Sequence, residues 1–352
     1  MKKTVLYFYP SPSTFIIRDF EIIEKHYNLI TYLFQPVSGF SLIKSFALQF
    51  IFLLKNISHT DIIVCHFMGY HSFLPTLLGK LFSIPRLSIV AGTECHSYPS
   101  IGYGSFRKPV YAWFTRISFL NSSYIAPVHE SLMLCDDTYY ALDFPKQGYK
   151  YFIPEIDIPF SPLYYGYNSE EFKPVEGSKK QPNTFLTVAG TLSGGEFYRK
   201  GIDLVIEAAK TFPEYQFTII STPHADVPDL PNLKLVRTMP VHELLPYFSS
   251  HEFYFQLSIA EGFPNALCEA MACECIPIGS AVFAIPLIIG DTGFVLQKKD
   301  FNQLKTLILK AVGSDKKSLA KSARVRIKNE FPQERREKEF IKLIEHLVTS
   351  YS

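Results

Sequence analysis

Several features that mark other classes of protein are missing from this sequence of 352 residues. Its six cysteines form no Cys-x-x-Cys pair, so we predict small buried thiols in a reducing compartment rather than a zinc knuckle. A net charge of only +2 gives no overall sign of nucleic-acid binding. No Gly-x-Gly-x-x-Gly follows the first apolar run, which argues against a Rossmann dehydrogenase.

Long apolar runs are also missing. The first run, Val5–Tyr9, stops at Pro10 and is too short for the apolar core of a secretory signal. The apolar segment Phe40–Leu54 contains Lys44, and at 15 residues it is predicted to be too short to span a bilayer. These patterns predict a soluble, cytoplasmic protein, with contact at the inner face of a membrane left open.

Two segments bear on that membrane contact. Residues 298–338 hold 13 Lys or Arg against 5 Asp or Glu, which indicates a solvated helical face or, alternatively, attraction to an anionic membrane. Residues 101–120 interleave aromatic and basic side chains, as at an interface near a membrane or a lipid-linked sugar. The alternative for the second segment is a helix packed on the core.

The residues that are present favour two α/β domains. The chain is 47% hydrophobic, enough for two cores. Its short apolar runs lack strict alternation, which is typical of strands buried on both faces of a parallel sheet, and helical spacing separates them. We predict a domain over 1–165, a polar linker over 166–183, a domain over 184–332 and a helix over 333–352. The predicted strands are residues 4–9, 29–34, 61–66, 86–91, 124–127, 184–190, 215–221, 233–236, 252–256 and 275–278.

Two glutamates eight residues apart carry the strongest functional signal. Glu261 precedes a loop broken by Gly262 and Pro264, and Glu269 lies about one turn inside the helix that follows. Free N–H groups at a helix start attract phosphate, and carboxylates accept hydrogen bonds from hydroxyls. This combination suits a sugar joined to a nucleotide diphosphate. The alternative is an ordinary helix start with an acidic residue beside its dipole and a second on its surface.

A glycine-rich loop from Gly190 to Gly201 supplies the matching positive charge. It ends in Arg199 and Lys200, just before another predicted helix, where two cations would complement a diphosphate. The alternative is an ordinary turn with exposed basic residues. Because ligands bind at the carboxyl ends of parallel strands, this loop and Glu261 are expected at one edge of one sheet.

The second half of the chain resembles the donor-binding domain of retaining glycosyltransferases of the GT-B fold, family 4 (glycosyl transferases group 1). The resemblance implies an α/β protein of two Rossmann-like domains facing across a cleft. The first domain would bind the acceptor, and the C-terminal helix would cross back to it. The similarity rests on Arg199–Asp203, Glu261–Ala272, Gly290–Phe294 and Phe331–Arg335, and more faintly on Pro127–Ser131 and Tyr165–Pro174.

The resemblance also implies roles for single residues. Glu261 would contact hydroxyls of the transferred sugar, and Arg199 and Lys200 would neutralise the diphosphate as catalytic groups. Glu269 would accept hydrogen bonds from the ribose. Other donor-binding residues would be Gly190, Thr191, Gly262, Phe263, Asn265, Ala266, Thr238 and Met239. Acceptor-side residues would be Glu94, His96 and His129.

The implied reaction is retaining transfer of a hexose from a UDP- or GDP-linked sugar to a hydroxyl of a glycan or lipid-linked sugar. Its setting would be synthesis of a bacterial surface polysaccharide or glycolipid. We expect no cofactor besides the nucleotide-sugar substrate, and no metal, because the chain contains no Asp-x-Asp to bind one. Thr191 and Ala91 stand where the family usually has Arg and His, which leaves open a weak or inert sugar-nucleotide-binding protein. A different sugar-nucleotide enzyme of this fold, such as an epimerase or a phosphorylase, is a further alternative.

Overall fold

The computed structural model describes residues 2–35, 39–223 and 226–351. The first half forms a parallel sheet of five strands in the order β2-β1-β3-β4-β5, with helices between the strands. Its strands are β1 (Thr4–Tyr9), β2 (Asn28–Leu33), β3 (Ile62–His66), β4 (Arg86–Val90) and β5 (Tyr124–Pro127). Its helices are α1 (Thr14–His26), α2 (Gly39–Asn56), α3 (Tyr70–Leu81) and α4 (Pro109–Leu120). A small antiparallel pair, β6 (Cys135–Asp136) and β7 (Lys146–Gln147), and the short helix α5 (Tyr149–Phe152) follow.

The second half forms a parallel sheet of six strands in the order β10-β9-β8-β11-β12-β13. Its strands are β8 (Gln181–Gly190), β9 (Gln216–Ser221), β10 (Leu233–Arg237), β11 (His251–Gln256), β12 (Ile276–Ser280) and β13 (Phe294–Leu296). Its helices are α6 (Glu196–Arg199), α7 (Ile202–Thr211), α8 (Val241–Ser250), α9 (Asn265–Ala272), α10 (Ile285–Ile289), α11 (Phe301–Val312), α12 (Lys316–Glu330) and α13 (Gln333–Tyr351).

The predicted α/β fold with parallel sheets is confirmed. Strands β3, β4 and β12 are buried along their whole length, which explains why their sequences are mostly apolar and lack alternation. The sequence missed β13, because three residues after a glycine turn are too few to show a strand pattern. Strand β8 begins at Gln181, so the last residues of the expected linker already belong to the second sheet.

Strand order fixes where each sheet can hold a ligand. In the first sheet the order reverses between β1 and β3, and in the second it reverses between β8 and β11. At such a point the two adjoining loops leave toward opposite faces, and a crevice opens at the carboxyl ends of the strands. Two candidate crevices therefore follow, one after β1 and β3 and one after β8 and β11.

The C-terminal helix α13 packs against α1 of the first half. At its start, the backbone N–H of Tyr167 donates to the carbonyl of Phe331. The guanidinium of Arg336 then makes two hydrogen bonds to the Asp19 carboxylate, of 2.8 and 2.9 Å, and both side chains are buried. The same guanidinium donates to the Leu163 and Tyr164 carbonyls. One buried cation thus ties α13 to both α1 and the segment that leaves the first sheet.

The prediction that the apolar segment Phe40–Leu54 is too short to span a bilayer is corrected by the length of α2. The helix runs from Gly39 to Asn56, and its apolar character extends further than Leu54. In the described part of the chain, residues 41–59 form the one helical segment long and apolar enough, by length and composition, to cross a membrane. Only 17% of that segment is buried in the protein.

Candidate functional site at the crevice between β8 and β11

The crevice of the second sheet brings Lys200, Arg199 and Glu261 together. The Lys200 ammonium lies 2.5 Å from Oε1 of Glu261, and the nearest Arg199 nitrogen lies 3.3 Å from the same oxygen. Ser258 donates to this oxygen as well, at 3.0 Å. The two loops that sequence analysis expected at one sheet edge thus meet through these side chains.

Gly201 explains how the basic loop comes so close to β11. Its φ is +70°, in the left-handed region that favours glycine. A Cβ at this position would lie 2.2 Å from the carbonyl oxygen of Leu257, directly after β11. The neighbouring backbone closes the contact, since Ile259 N–H donates to the carbonyl of Arg199 at 2.7 Å. The small glycine therefore allows Lys200 to reach Glu261.

The charges of this cluster balance one another. Burial alone would raise the pKa of Glu261, but the charges of Lys200 and Arg199 outweigh it and lower that pKa to about 2. The guanidinium of Arg199 also binds the carboxylate of Glu196 through two of its nitrogens. Two cations thus face two carboxylates, so an anion that binds here has to compete with one of these carboxylates.

A cavity of about 270 Å³ opens over the cluster, and both halves of the chain line it. The two halves are in close contact here. A Cβ on Gly262 would lie 1.8 Å from the carbonyl oxygen of Ala91, and one on Gly195 would lie 1.5 Å from that of Ile101. Ligand pockets usually have volumes of about 300–1,000 Å³, so this cavity is slightly smaller than the usual range. The lining residues are Phe15, Phe67, Ala91, Thr93, Tyr103, Tyr165, Val188, Arg199, Lys200, Gln256, Glu261, Gly262, Phe263, Pro264, Asn265 and Ala266.

The start of α9 forms one wall of this cavity. Pro264 occupies the cap position and makes no side-chain cap hydrogen bond. The first N–H groups of a helix have no partner inside the helix, so those of α9 are available to a phosphate. The Asn265 Oδ1 accepts a hydrogen bond of 2.8 Å from Tyr167. The backbone N–H and the side-chain NH2 group of Asn265 are therefore the candidate ligand-binding donors.

The second glutamate of the motif lies apart from the first. Glu269 is 3% exposed, and the described lining of the cavity does not include it. Its nearest cation is Arg18 of α1, at 4.0 Å, and its Oε1 has no hydrogen-bond partner within the described structure. Burial raises the pKa of Glu269 to about 7. Its predicted contact with a ribose stays a prediction, and that contact requires the cleft to open.

We expect Glu269→Gln to stabilise the unliganded protein at pH 8 but not at pH 4.5. Below its unfolded pKa of about 4.5, the carboxyl group is protonated in both states and contributes little. Between pH 4.5 and 7 the unfolded chain ionises this group while the folded protein keeps it protonated, so stability falls over that range. Above pH 7 the full cost of about 3 kcal/mol is present, and the neutral amide avoids it. The measurement is the urea unfolding midpoint at both pH values. Glu207→Gln, at an exposed position of α7, is the control, and equal midpoints for the two variants at pH 8 would contradict the prediction.

Four other predicted donor residues lie farther along the second sheet. Gly190 is the last residue of β8 and Thr191 follows it, and Thr238 and Met239 follow β10. Thr238 N–H donates to the carbonyl of Ser221, which holds this loop beside the end of β9. None of the four lines the cavity within the described residues, although all lie at carboxyl ends of strands. Their roles toward the nucleotide stay predictions.

A smaller cavity of about 230 Å³ lies at the crevice of the first sheet, and Glu94 is buried in its wall. Oε1 of Glu94 accepts a hydrogen bond from the Ala91 N–H at 2.7 Å, while Oε2 has no partner among residues 2–35, 39–223 and 226–351. Burial raises the pKa of Glu94 to about 7. The two cavities share Phe67 and Thr93, so they adjoin. The lining residues are Pro10, Ser11, Phe67, Met68, His71, Thr93, Glu94, Ser105 and Tyr111.

The two histidines expected on the acceptor side do not line either cavity in the described structure. His96 is fully buried, with its ring centroid 4.4 Å from that of Phe283 in the second half. Burial lowers the pKa of His96 to about 3, so its ring is neutral. His129 is occupied locally, with its Nδ1 2.6 Å from the Ser131 hydroxyl. In this closed arrangement Glu94 is the best placed of the three.

Sequence reasoning missed several residues of the site. Gln256 ends β11 and Ser258 lies just beyond it, and both side chains donate to Glu261, so the rule about carboxyl ends of strands could have identified them. Tyr103 could not have been found in this way. Its ring lies 4.7 Å from the Arg199 guanidinium, a contact that depends on how the two halves pack.

The architecture described above, two parallel α/β sheets facing across a cleft, is that of the GT-B fold. The chain superimposes on a sucrose-phosphate synthase from Thermosynechococcus elongatus with a TM-score of 0.75 and 15% identity, over 99% of this chain and 100% of that one. It superimposes on HepE from Anabaena, in complex with UDP and glucose, with a TM-score of 0.69 and 11% identity, over 98% and 100% of the two chains. A glycosyltransferase from Rickettsia africae ESF-5 gives 0.68 and 13%, over 99% of each chain. Likeness at such low identity shows a shared fold.

At the sequence level, residues 184–314 match the family described as Glycosyl transferases group 1. The match covers less than half of the chain and includes both Lys200 and Glu261. No curated protein sequence matches the chain. The family match therefore concerns the second half, and the first half is tied to known proteins through its fold.

Proposed function

We propose that this protein is a glycosyltransferase that moves a sugar from a nucleotide diphosphate sugar to an acceptor hydroxyl. The observation that carries the proposal is the contact of Lys200 and Arg199 with Glu261 at the crevice between β8 and β11. The start of α9 adds free N–H groups at the same place. The family match of this half supports the proposal, as does the shared fold with HepE, which was solved with UDP and glucose.

Exchange of ion-pair partners links donor binding to catalysis. A diphosphate that enters the crevice attracts Lys200 away from Glu261, because the phosphates carry more negative charge than one carboxylate. Glu261 is then free to accept hydrogen bonds from hydroxyls of the sugar. Lys200, together with the N–H groups of α9, stabilises the charge that develops on the leaving diphosphate. Arg199 keeps its bonds to Glu196 and mainly holds the cluster in place.

The cavity beside Glu94 is the proposed acceptor site. It opens at the crevice of the first sheet and adjoins the donor cavity at Thr93. A carboxyl group with one free oxygen can bind an acceptor hydroxyl and orient it toward the donor sugar. Transfer with retention, a hexose as the sugar and independence from metal are finer parts of this proposal. A glycan or lipid-linked acceptor, a cytoplasmic location and a role in surface polysaccharide or glycolipid synthesis also stay predictions.

A thermal-shift screen against nucleotide diphosphate sugars tests the proposal. A donor at about 100 times its dissociation constant adds about 2.7 kcal/mol of stability, which raises the melting midpoint measurably. We expect one UDP- or GDP-linked sugar to raise the melting midpoint. We also expect the protein to hydrolyse that donor slowly when no acceptor is present, which releases the nucleotide diphosphate. The first anomer of the freed sugar, followed by proton NMR, reports retention or inversion.

Two results would speak against transfer. A shift without release, even when simple sugar acceptors are added, would favour the alternative of an inert sugar-nucleotide-binding protein. Thr191 and Ala91, at positions where relatives usually have Arg and His, are the residues that motivate this alternative. No shift with any nucleotide sugar would overturn the proposed donor site altogether.

A further inference from the structure

Three helices of the first half form one layer with an unusually apolar outer side. Phe46 of α2 stacks on Phe114 of α4 with ring centroids 5.5 Å apart, and Phe73 of α3 lies 5.7 Å from Trp113 of α4. These ring contacts join α2, α3 and α4 side by side. We call the solvent-facing side of this layer, with Phe82 directly after α3, the α2–α4 face.

Large apolar side chains cover the α2–α4 face. Ile43 is 67% exposed, Leu81 73% and Val110 66%. On α2, Leu48, Ile51 and Leu54 follow one another at three-residue spacing, so they lie along one side of the helix. Monomeric proteins rarely expose a contiguous apolar surface of this kind unless it binds something. The exposed large apolar residues of the face are Ile43, Leu48, Phe50, Ile51, Leu54, Leu77, Leu81, Phe82, Val110 and Trp113.

The charged side chains of α2, α3 and α4 are all basic, and one of them, Arg116, pairs with Glu155. The sequences of α2, α3 and α4 contain no Asp or Glu. Exposed cations flank the apolar residues, on the helices or directly before α4. They are Lys44, Lys55, Lys80, Arg107 and Lys108. Apolar side chains ringed by cations are typical of a surface that lies on an anionic membrane. A second copy of the chain fits poorly, since a symmetric contact would bring these cations together without carboxylates.

We propose that the α2–α4 face docks on the surface of a bilayer that contains anionic phospholipid. Docking fits α2 better than spanning does, because the opposite side of α2 is held by the protein. Leu53 and Gln49 are fully buried, and the Gln49 amide donates to the carbonyl of His71 at 2.7 Å. Crossing the bilayer would break these contacts and bury Lys44 and Lys55.

The basic stretch 298–338, the other candidate from the sequence, lacks these properties. Arg324 and Arg326 donate to backbone carbonyls, and Lys316 pairs with Glu252. Among its described residues only Leu309 and Val325 are exposed large apolar side chains. The stretch therefore matches the solvated helical face that was its first interpretation, and it serves as the matched control.

Docking would also place the smaller cavity near lipid. Tyr111 lines that cavity, and on α4 it lies directly after Val110 and two residues before Trp113, both of which belong to the α2–α4 face. A helix with its side chains is about 10 Å across, so the cavity would open close to the bilayer surface. If that cavity binds the acceptor, which rests on the proposed function, the acceptor is carried by a membrane lipid.

Flotation of the full chain with lipid vesicles tests the docking. One set is phosphatidylcholine alone, and the other adds about 30% phosphatidylglycerol to supply negative charge. We expect binding to the anionic vesicles, reduced at least tenfold in a Leu48→Glu, Ile51→Glu variant and in a Lys44→Glu, Lys55→Glu variant. A Leu309→Glu, Val325→Glu variant should bind as the unmodified protein does. Unchanged melting midpoints for all three variants show that they fold.

Several outcomes would overturn the proposal. One is equal binding by the unmodified protein and both α2 variants, and another is an equal loss in the control variant. Dimers in sedimentation that the α2 variants abolish, without any vesicle binding, would assign the face to a second copy. If a donor still raises the melting midpoint of the α2 variants, the donor site is intact. A loss of vesicle binding in those variants then concerns docking alone.

Discussion

Lys200→Ala should lower the rate of donor turnover about 10²–10³-fold, the usual loss when one charge-stabilising group is removed from an active site. Lys200 is the cation closest to Glu261 in the crevice, and Arg199 is already held by Glu196. Release of nucleotide diphosphate from the donor selected by the thermal-shift screen is the measurement. Glu261→Ala should cause a loss of similar size, because it removes the acceptor for the sugar hydroxyls.

The folded state should tolerate Lys200→Ala. Glu261 keeps Arg199 at 3.3 Å and the hydroxyl of Ser258 at 3.0 Å, so its carboxylate stays paired. Lys173→Ala is the matched control, since Lys173 pairs with Glu170 on the exposed surface, where ion pairs contribute about 0–1 kcal/mol. Turnover within a factor of two of the unmodified protein for Lys200→Ala, with the melting midpoint preserved, would refute the assignment of this crevice as the catalytic site.

Arg336→Met should destabilise the protein by about 3–5 kcal/mol, the usual cost of leaving a buried charge without its partner. Asp19 is fully buried, and Arg336 supplies both of its charged hydrogen bonds. Without Arg336, the remaining neighbours of this carboxylate are Tyr7, at 3.2 Å, and His66, at 3.5 Å. Burial lowers the pKa of His66 in the unmodified protein. The urea unfolding midpoint of the full chain is the measurement.

A second variant shows whether the uncompensated charge is the cause. Adding Asp19→Asn to Arg336→Met removes the carboxylate and should recover part of the lost stability. Arg335→Met, one residue earlier, is the control, because its pair with Glu339 is exposed. A midpoint for Arg336→Met equal to that of Arg335→Met would show that the α13 contact contributes little.

Much of the donor side could be predicted from the sequence because its signals are local. The apolar runs gave parallel strands, and the carboxyl ends of such strands must share an edge, which brings Lys200 and Glu261 together. The strand β13 was not predicted, because three residues are too few to show the hydrophobic pattern of a strand. The length of α2 was underestimated because polar residues interrupt its apolar run, while its helical register continues to Asn56.

The sequence by itself determined the two parallel α/β sheets, the basic loop before Gly201 and the paired glutamates with their helix start. These follow from contacts between residues close along the chain and from the fixed geometry of parallel strands. Tertiary structure alone decided that Glu261 faces the cavity while Glu269 is buried beside Arg18, since that depends on how α1 meets α9. It also placed Glu94 at the second cavity and left the α2–α4 face uncovered. Packing between distant segments settles these features, and no local pattern encodes them.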